Sequence, residues 1–283
     1  MRHRVPADGL ELEVLDEGEG PVVLLVHGFP DSSHLWRHQV PALTAAGLRV
    51  IAPDMRGFGA SDRPAAVEAY RLSHAVADLV AVLDAAGVER ARVVGHDWGA
   101  GVAWLMAAIR PERVERLVAL SVGHPATARR TFADREKAWY MLLFQFEGIA
   151  EELLARDDWA FLRAWLRDEG DVERYVADLS RPGALTAALN WYRGMPFSSP
   201  RQTAKAVTVP TLYVWSDNDV ALKKKCARLC ADYVVADYRF EVLEGTSHWL
   251  LDEQPETVAD LILDRIGTHS GAQGQRSESG VEG

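Results

Sequence analysis

The stretch VVGHDWGAG, Val93 to Gly101, constrains the fold of this chain more than any other. A strand-like run ending at Gly95 has to become the helix-like GAGVAWLMAAI within a few residues. Gly95, Gly99 and Gly101 would let the turn be sharp and the helix lie close to the strand. A turn of this kind lifts the side chain at its centre, here Asp97, above the sheet. It also aims the N–H of Trp98, at a helix N-terminus, into the same space. The plain alternative is an aspartate that only caps the helix starting at Gly99.

The rest of the chain supplies the sheet. Leu10, Leu12 and Val14 alternate with Glu11 and Glu13, the pattern of a half-buried strand. Val22–Val26 (VVLLV) is continuously apolar, as for a strand covered on both faces. RVIAPD, ARVVG and VERLVALSV follow, interleaved with the amphipathic helix SHAVADLVAVLDAAG and the helix after Asp97. This alternation predicts an α/β fold, a mostly parallel central sheet flanked by helices. It stops near Pro125, and residues 126–205 read as helical and rich in aromatics. VPTLYVWS, ALKKKCARLCADYV, YRFEVL and PETVADLILDRI then restore it. The expected organisation is a core in two parts, 1–125 and 206–267, with a helical insertion at 126–205. Residues 268–283, rich in Gly and Ser, are expected to form a disordered tail.

Composition narrows the function. A formal charge of −10 argues against binding nucleic acid or an anionic membrane. Lys223-Lys224-Lys225, the one basic run of note, reads as a solvated helix face. No stretch nears the roughly 18 apolar residues of a membrane span, and MRHRVPADGLELEV has no apolar signal-peptide core. Cys226 and Cys230 have no third cysteine to complete a metal site and read as structural thiols. So few cysteines fit a reducing, cytoplasmic setting.

Three further motifs stand beside Asp97. HGFP closes the VVLLV strand, where the N–H of Phe29 can complete an oxyanion hole with that of Trp98. SDNDVAL follows a late strand and offers Asp219 as an orienting carboxylate, with Asp217 as its competitor. GTSHW places His248 between the last strand and the last helix. The order carboxylate, acid, histidine matches the chain order nucleophile, acid, histidine.

With these motifs the chain resembles the α/β-hydrolase superfamily in its epoxide hydrolase branch. HGFP, APDMRGFGASDRP, GHDWGAG, SDNDVAL and GTSHW carry the likeness, which spans about Leu10 to Ile266. The resemblance implies that 126–205 is the family's helical cap and that the Phe29–Pro30 bond is cis. It implies neither a cofactor nor a metal. It also implies two cap tyrosines as proton donors. Tyr192 in LNWYRGM matches one, and Tyr140, in Tyr-x-x-x-Phe-Gln, matches the other; Tyr175 is the fallback.

The chemistry accounts for the carboxylate. A serine attacking a saturated carbon would form an ether, which water cannot cleave; a carboxylate forms an ester, which it can. With an ordinary pKa of about 3.9, Asp97 needs no base to become a nucleophile. His248 is then free to activate water, with Asp219 holding its tautomer. An opened epoxide leaves an alkoxide that needs a proton, and a phenol with pKa of about 10 can supply it. The expected partners are therefore a small lipophilic epoxide and water, in a monomer or homodimer. Phe29, Trp98, Tyr140, Tyr192 and Trp249 are the expected substrate contacts.

Three alternatives remain at this stage. A haloalkane dehalogenase would use the same ester chemistry but needs N–H donors for a halide, with Asn190, Trp139 or Trp191 as candidates beside Trp98. A fluoroacetate dehalogenase would place arginine where Trp98 stands. A non-catalytic binding protein on a hydrolase scaffold would have no reason to keep Asp97, Asp219, His248 and both tyrosines.

Overall fold

The computed structural model describes residues 1–127, 138–166, 170–195, 202, 205–219 and 224–267. Eight strands form one sheet: β1 (Arg2–Ala7), β2 (Leu10–Glu17), β3 (Val22–Val26), β4 (Arg49–Pro53), β5 (Ala91–His96), β6 (Val114–Leu120), β7 (Thr211–Ser216) and β8 (Tyr238–Leu243). Their spatial order is β1-β2-β4-β3-β5-β6-β7-β8. β1–β2 and β2–β4 pair antiparallel. The remaining pairs are parallel. This is the mostly parallel α/β sheet expected from the alternation.

The continuous apolar runs are explained by two cores, one on each face. Along β3, Leu24 and Val26 point into one core, while Val23 and Leu25 point into the other. Along β6, Leu117 and Ala119 alternate with Val118 and Leu120 in the same way. A strand covered on both faces has no polar side to show. Helices α1 (Gln39–Ala45) and α10 (Pro255–Ile266) cover one face through Val40, Leu43, Val258 and Ile262. Helices α2 (Leu72–Ala85) and α3 (Trp98–Ile109) cover the other.

Between β6 and β7 the described residues are mainly helical: α4 (Trp139–Leu143), α5 (Ile149–Leu166), α6 (Val172–Leu179) and α7 (Ala184–Gly194). α5 is broken at Arg156–Trp159, where Asp157, Asp158 and Trp159 take positive φ. Two short helices, α8 (Lys224–Arg228) and α9 (Leu250–Glu253), are the remaining α-helices among the described residues.

Several details differ from the sequence reading. β1 was not anticipated. It is an edge strand with only Val5 and Ala7 buried, and RHRVPA carries too little alternation to reveal it. ALKKKCARLCADYV is not one helix, because α8 gives way to a 3-10 turn over Leu229–Tyr233. Gly101 has open space where a Cβ would lie, so the tight packing rests on Gly95 and Gly99 alone. Cys226 and Cys230 are buried free thiols. The tail 268–283 and Lys223, the first residue of the lysine run, lie outside the described residues.

Candidate active site

The sheet brings the motifs together at the carboxyl ends of its parallel strands, where ligands bind in open α/β sheets. Asp97 follows β5 and takes φ 52°, ψ −122°, a conformation strained for a residue with a Cβ. It stands at the N-cap position of α3, yet its side chain makes no capping hydrogen bond. The backbone around it is too crowded for anything but glycine. A Cβ on Gly99 would lie 2.0 Å from the carbonyl oxygen of Val26, and one on Gly95 would lie 2.3 Å from that of Gly99. A Cβ on Gly28 would lie 2.4 Å from Oδ1 of Asp97 itself.

The carboxylate is therefore gripped by backbone. The N–H of Phe29 donates to Oδ1 of Asp97 at 2.8 Å, and the N–H of Trp98 donates to the same carboxylate. The Phe29–Pro30 bond is cis. Oδ2 faces Nε2 of His248 at 3.6 Å, beyond hydrogen-bond length. Burial pushes the pKa of Asp97 above the ordinary carboxylate value, against the pull of His248 and the two N–H donors. The starting expectation of an unperturbed aspartate is thus corrected upward, because only 13% of the side chain reaches solvent.

His248 is held from three sides. Its Nδ1 lies 3.2 Å from Oδ2 of Asp219, a fully buried carboxylate. Asp217 does not compete; its side chain accepts from the N–H of Gly245 at 2.7 Å. Two residues that sequence reasoning missed complete the setting. His96, the last residue of β5, donates from Nε2 to the carbonyl oxygen of His248 at 2.9 Å. Burial lowers the pKa of His96 to about 3, so it stays neutral. Ser121, just past β6, places its Oγ 2.6 Å from Oδ2 of Asp219 and 2.9 Å from Nδ1 of His248. The only sequence signal for Ser121 was its position at the end of the strand beside the Asp97 strand.

Tyr192 reaches this centre from the insertion, and Tyr140 stands behind it. Tyr192, on α7, packs edge-on against Trp98 at 5.1 Å and Phe29 at 5.5 Å between ring centroids. Tyr140, on α4, lies 5.9 Å from the Tyr192 ring. Burial raises the Tyr192 pKa well above 10, and the negative charge of Asp97 and the neighbouring Tyr140 raise it further. A hydrogen bond from the Trp98 side chain pulls the other way. Tyr175 packs instead on Trp249, at 5.4 Å, under the Arg174 guanidinium. Trp249 stands edge-on to the His248 ring at 5.1 Å and is buried.

Other side chains hold the two tyrosine helices in place. Arg193, next to Tyr192, donates to the carbonyl oxygen of Phe144 at 2.8 Å and forms a paired contact with Glu151 at 2.8 and 2.9 Å. Gln145 donates to the carbonyl oxygen of Tyr192 at 3.1 Å. Trp191 donates its indole N–H to the carbonyl oxygen of Arg56, at 3.0 Å, tying α7 to the core. Among the described residues, no group of three or more His, Cys, Asp or Glu is placed to hold a metal ion. None of their helices is long and apolar enough to cross a membrane.

A carboxylate on a strand-to-helix turn, faced by a histidine and fed by backbone N–H groups, is the site of the α/β-hydrolase class. The model of the alpha/beta hydrolase fold family matches residues 21–255. Epoxide hydrolase A of Mycobacterium tuberculosis is 35% identical over 310 residues, covering 92% of this chain and 95% of the relative. The AB hydrolase superfamily protein YfhM of Bacillus subtilis is 35% identical over 276 residues, covering 93% and 96%. The crystal structure of epoxide hydrolase VrEH1 from Vigna radiata superposes with a TM-score of 0.84 at 30% identity, over 94% of this chain and 97% of that one. The chain belongs to the α/β-hydrolase fold family, in its epoxide hydrolase branch.

Proposed function

We propose that this protein is an epoxide hydrolase that converts a small lipophilic epoxide and water to a vicinal diol through an ester on Asp97. The observation that carries the reading is the meeting of a gripped carboxylate with two phenols. Oδ1 of Asp97 is held by Phe29, the Tyr192 ring packs on Phe29 and Trp98, and the Tyr140 ring stands 5.9 Å from that of Tyr192. The names and likeness of the relatives support the same substrate class.

In the first step Oδ2 of Asp97 attacks a ring carbon, the carbon–oxygen bond breaks, and its electron pair goes to the oxygen. A phenolic proton from Tyr192 or Tyr140 neutralises that alkoxide. The electrostatics favour this timing. The Asp97 charge that raises the Tyr192 pKa is consumed as the ester forms, so the phenol becomes more acidic when its proton is needed. In the second step Nε2 of His248 takes a proton from water, and the resulting hydroxide attacks the ester carbonyl. Oδ1, already in the grip of the Phe29 and Trp98 N–H groups, carries the oxyanion. Collapse expels the diol oxygen, which takes the proton back from His248; Asp97 is left as its acid, and its proton passes through solvent to the tyrosinate, which restores both groups. Asp219 keeps the Nδ1 proton of His248 in place.

On this reading residues 126–205 act as a cap that brings the phenols to the core, and Trp249 lines the pocket next to His248. The cytoplasmic setting rests on the scarcity of cysteine. Dehalogenation is disfavoured by the hydrogen bonds of its candidate halide donors. The indole N–H of Trp191 is given to the carbonyl oxygen of Arg56 at 3.0 Å, and that of Trp98 to the Tyr192 hydroxyl.

The test is a single turnover of styrene oxide in heavy-oxygen water with enzyme in excess. The ester route leaves the diol unlabelled and one heavy oxygen in the peptide containing Asp97. Label appearing directly in the diol would mean that water attacks the epoxide itself. If no diol formed, halide release from 1-bromobutane would be assayed next.

A further inference from the structure

Ser121 occupies a place that an orienting aspartate does not by itself require. Its hydroxyl lies between the two members of the His248–Asp219 pair, at 2.6 Å from Oδ2 of Asp219 and 2.9 Å from Nδ1 of His248. Both distances are shorter than the direct Nδ1–Oδ2 separation of 3.2 Å. A serine hydroxyl has one proton to donate and lone pairs to accept with. Asp219 as a carboxylate can only accept, so the Ser121 proton points to Oδ2. The lone pairs of Oγ are then available to the Nδ1–H of His248.

The backbone of Ser121 is placed for this contact at some cost. It takes φ 65°, the left-handed region that favours glycine. Both of its backbone polar groups are tied to β7: its N–H donates to the carbonyl oxygen of Val214 at 2.9 Å, and its carbonyl oxygen accepts from the Tyr213 hydroxyl at 2.7 Å. The residue is fully buried. Glycine would meet the backbone requirement without strain, so the side chain needs a separate reason.

We propose that Ser121 is a positioning residue that couples His248 to Asp219 through a hydrogen-bonded relay, Nδ1–H to Oγ and Oγ–H to Oδ2. No proton is transferred along it. The Nδ1–H stays on the imidazole and the hydroxyl proton stays on serine, while both bonds shorten as His248 gains positive charge at Nε2. The inference rests on the proposed role of His248 as the base in ester hydrolysis. Among the described residues, the charged or titratable groups that meet His248 include Asp97 at Nε2, Asp219 at Nδ1 and His96 at the carbonyl; His96 stays neutral.

The test compares Ser121→Gly and Ser121→Ala. Both remove the hydroxyl, but only glycine suits the backbone at φ 65°. The first readout is the titration of His248 in the resting enzyme, followed by NMR with nitrogen-labelled histidine. The relay stabilises the imidazolium, so both variants are expected to titrate lower, by about one pH unit, the size of a hydrogen bond to a charged group. Single-turnover kinetics give the second readout. Ester hydrolysis is expected to slow about tenfold while ester formation stays close to the parent rate.

A His248 that titrates at the parent pH or higher in Ser121→Gly would show that Asp219 holds the ring directly, and would overturn the relay. A slow Ser121→Ala beside a parent-like Ser121→Gly would also overturn it, assigning the effect to backbone strain. The titration needs no substrate, so it stands apart from the ester mechanism. If the parent forms no ester on Asp97, that reading fails while the NMR result still decides the relay.

Discussion

The N–H of Phe29 donates to Oδ1 of Asp97 at 2.8 Å. On the proposed mechanism, the donor suited to an oxyanion during ester hydrolysis already holds the nucleophile's own oxygen at rest. This would leave Oδ2 for attack and make Oδ1 the carbonyl oxygen of the ester. One structural element would then serve both half-reactions, and the contact depends on there being no side chain at Gly28.

Gly28→Ala would bring a Cβ to 2.4 Å from Oδ1 and 2.6 Å from the Trp98 nitrogen, so the grip on Asp97 has to open. Losing one such donor costs about 100-fold in rate. Ester formation and ester hydrolysis should both fall, in contrast to the selective effect expected at Ser121. Rapid-quench measurement of the two steps checks this; a variant with parent rates would remove the loop from the oxyanion hole.

His248→Gln should form the ester and fail to release it. Loss of a general base costs about 100- to 10,000-fold in the step it serves. Mass spectrometry of the intact protein after brief exposure to epoxide should show an adduct mapped to the peptide containing Asp97. Steady turnover at the parent rate without an adduct would contradict the role given to His248.

Tyr192→Phe should slow ring opening about tenfold or more, because Tyr140 remains as a second donor 5.9 Å away by ring centroid. The double variant with Tyr140→Phe should lose about 1,000-fold. Stopped-flow fluorescence of the nearby Trp98 would follow ester formation directly. If the double variant opened the epoxide as fast as the parent, the proton would have to come from elsewhere.

Ester formation requires Asp97 in its ionised form, so its rate should rise with pH through the Asp97 pKa. Burial raises that pKa, which places the acid limb above the ordinary carboxylate value of about 3.9. The rate falls as pH drops through the raised value, since the protonated acid cannot attack. A single-turnover pH profile with its limb at or below about 3.9 would mean that the two N–H donors and His248 outweigh burial.

Glu151→Gln leaves the guanidinium of Arg193, only 5% exposed, without its carboxylate. Breaking a buried pair by removing one partner costs about 3 kcal/mol. Urea denaturation should show a loss of that order. Because Arg193 also holds Phe144 beside Tyr192, ring opening should slow as well. Unchanged stability would show that solvent reaches Arg193 in the variant.

The strands around Asp97 were readable because each apolar run is short, buried on both faces and flanked by turn residues. The edge strand β1 was not, since only Val5 and Ala7 face the core. Asp219 and His248 were legible from their places after late strands. Ser121 and His96 were not singled out, because a serine after one strand and a histidine at the end of another look ordinary until the sheet aligns β5, β6 and β7.

The sequence by itself determined the class of fold, the carboxylate at the turn and the order of the acid and the histidine. These are properties of neighbouring residues, set by strand periodicity and by the glycines that a tight turn demands. Only the tertiary structure decided that Asp219 rather than Asp217 meets His248 and that Ser121 stands between them. It also decided that the Tyr192 ring packs on Phe29 and Trp98 beside Asp97, with the Tyr140 ring next to it. Each of these depends on distances between segments tens of residues apart. Such distances follow from how the sheet twists and the helices pack, and no local pattern encodes them.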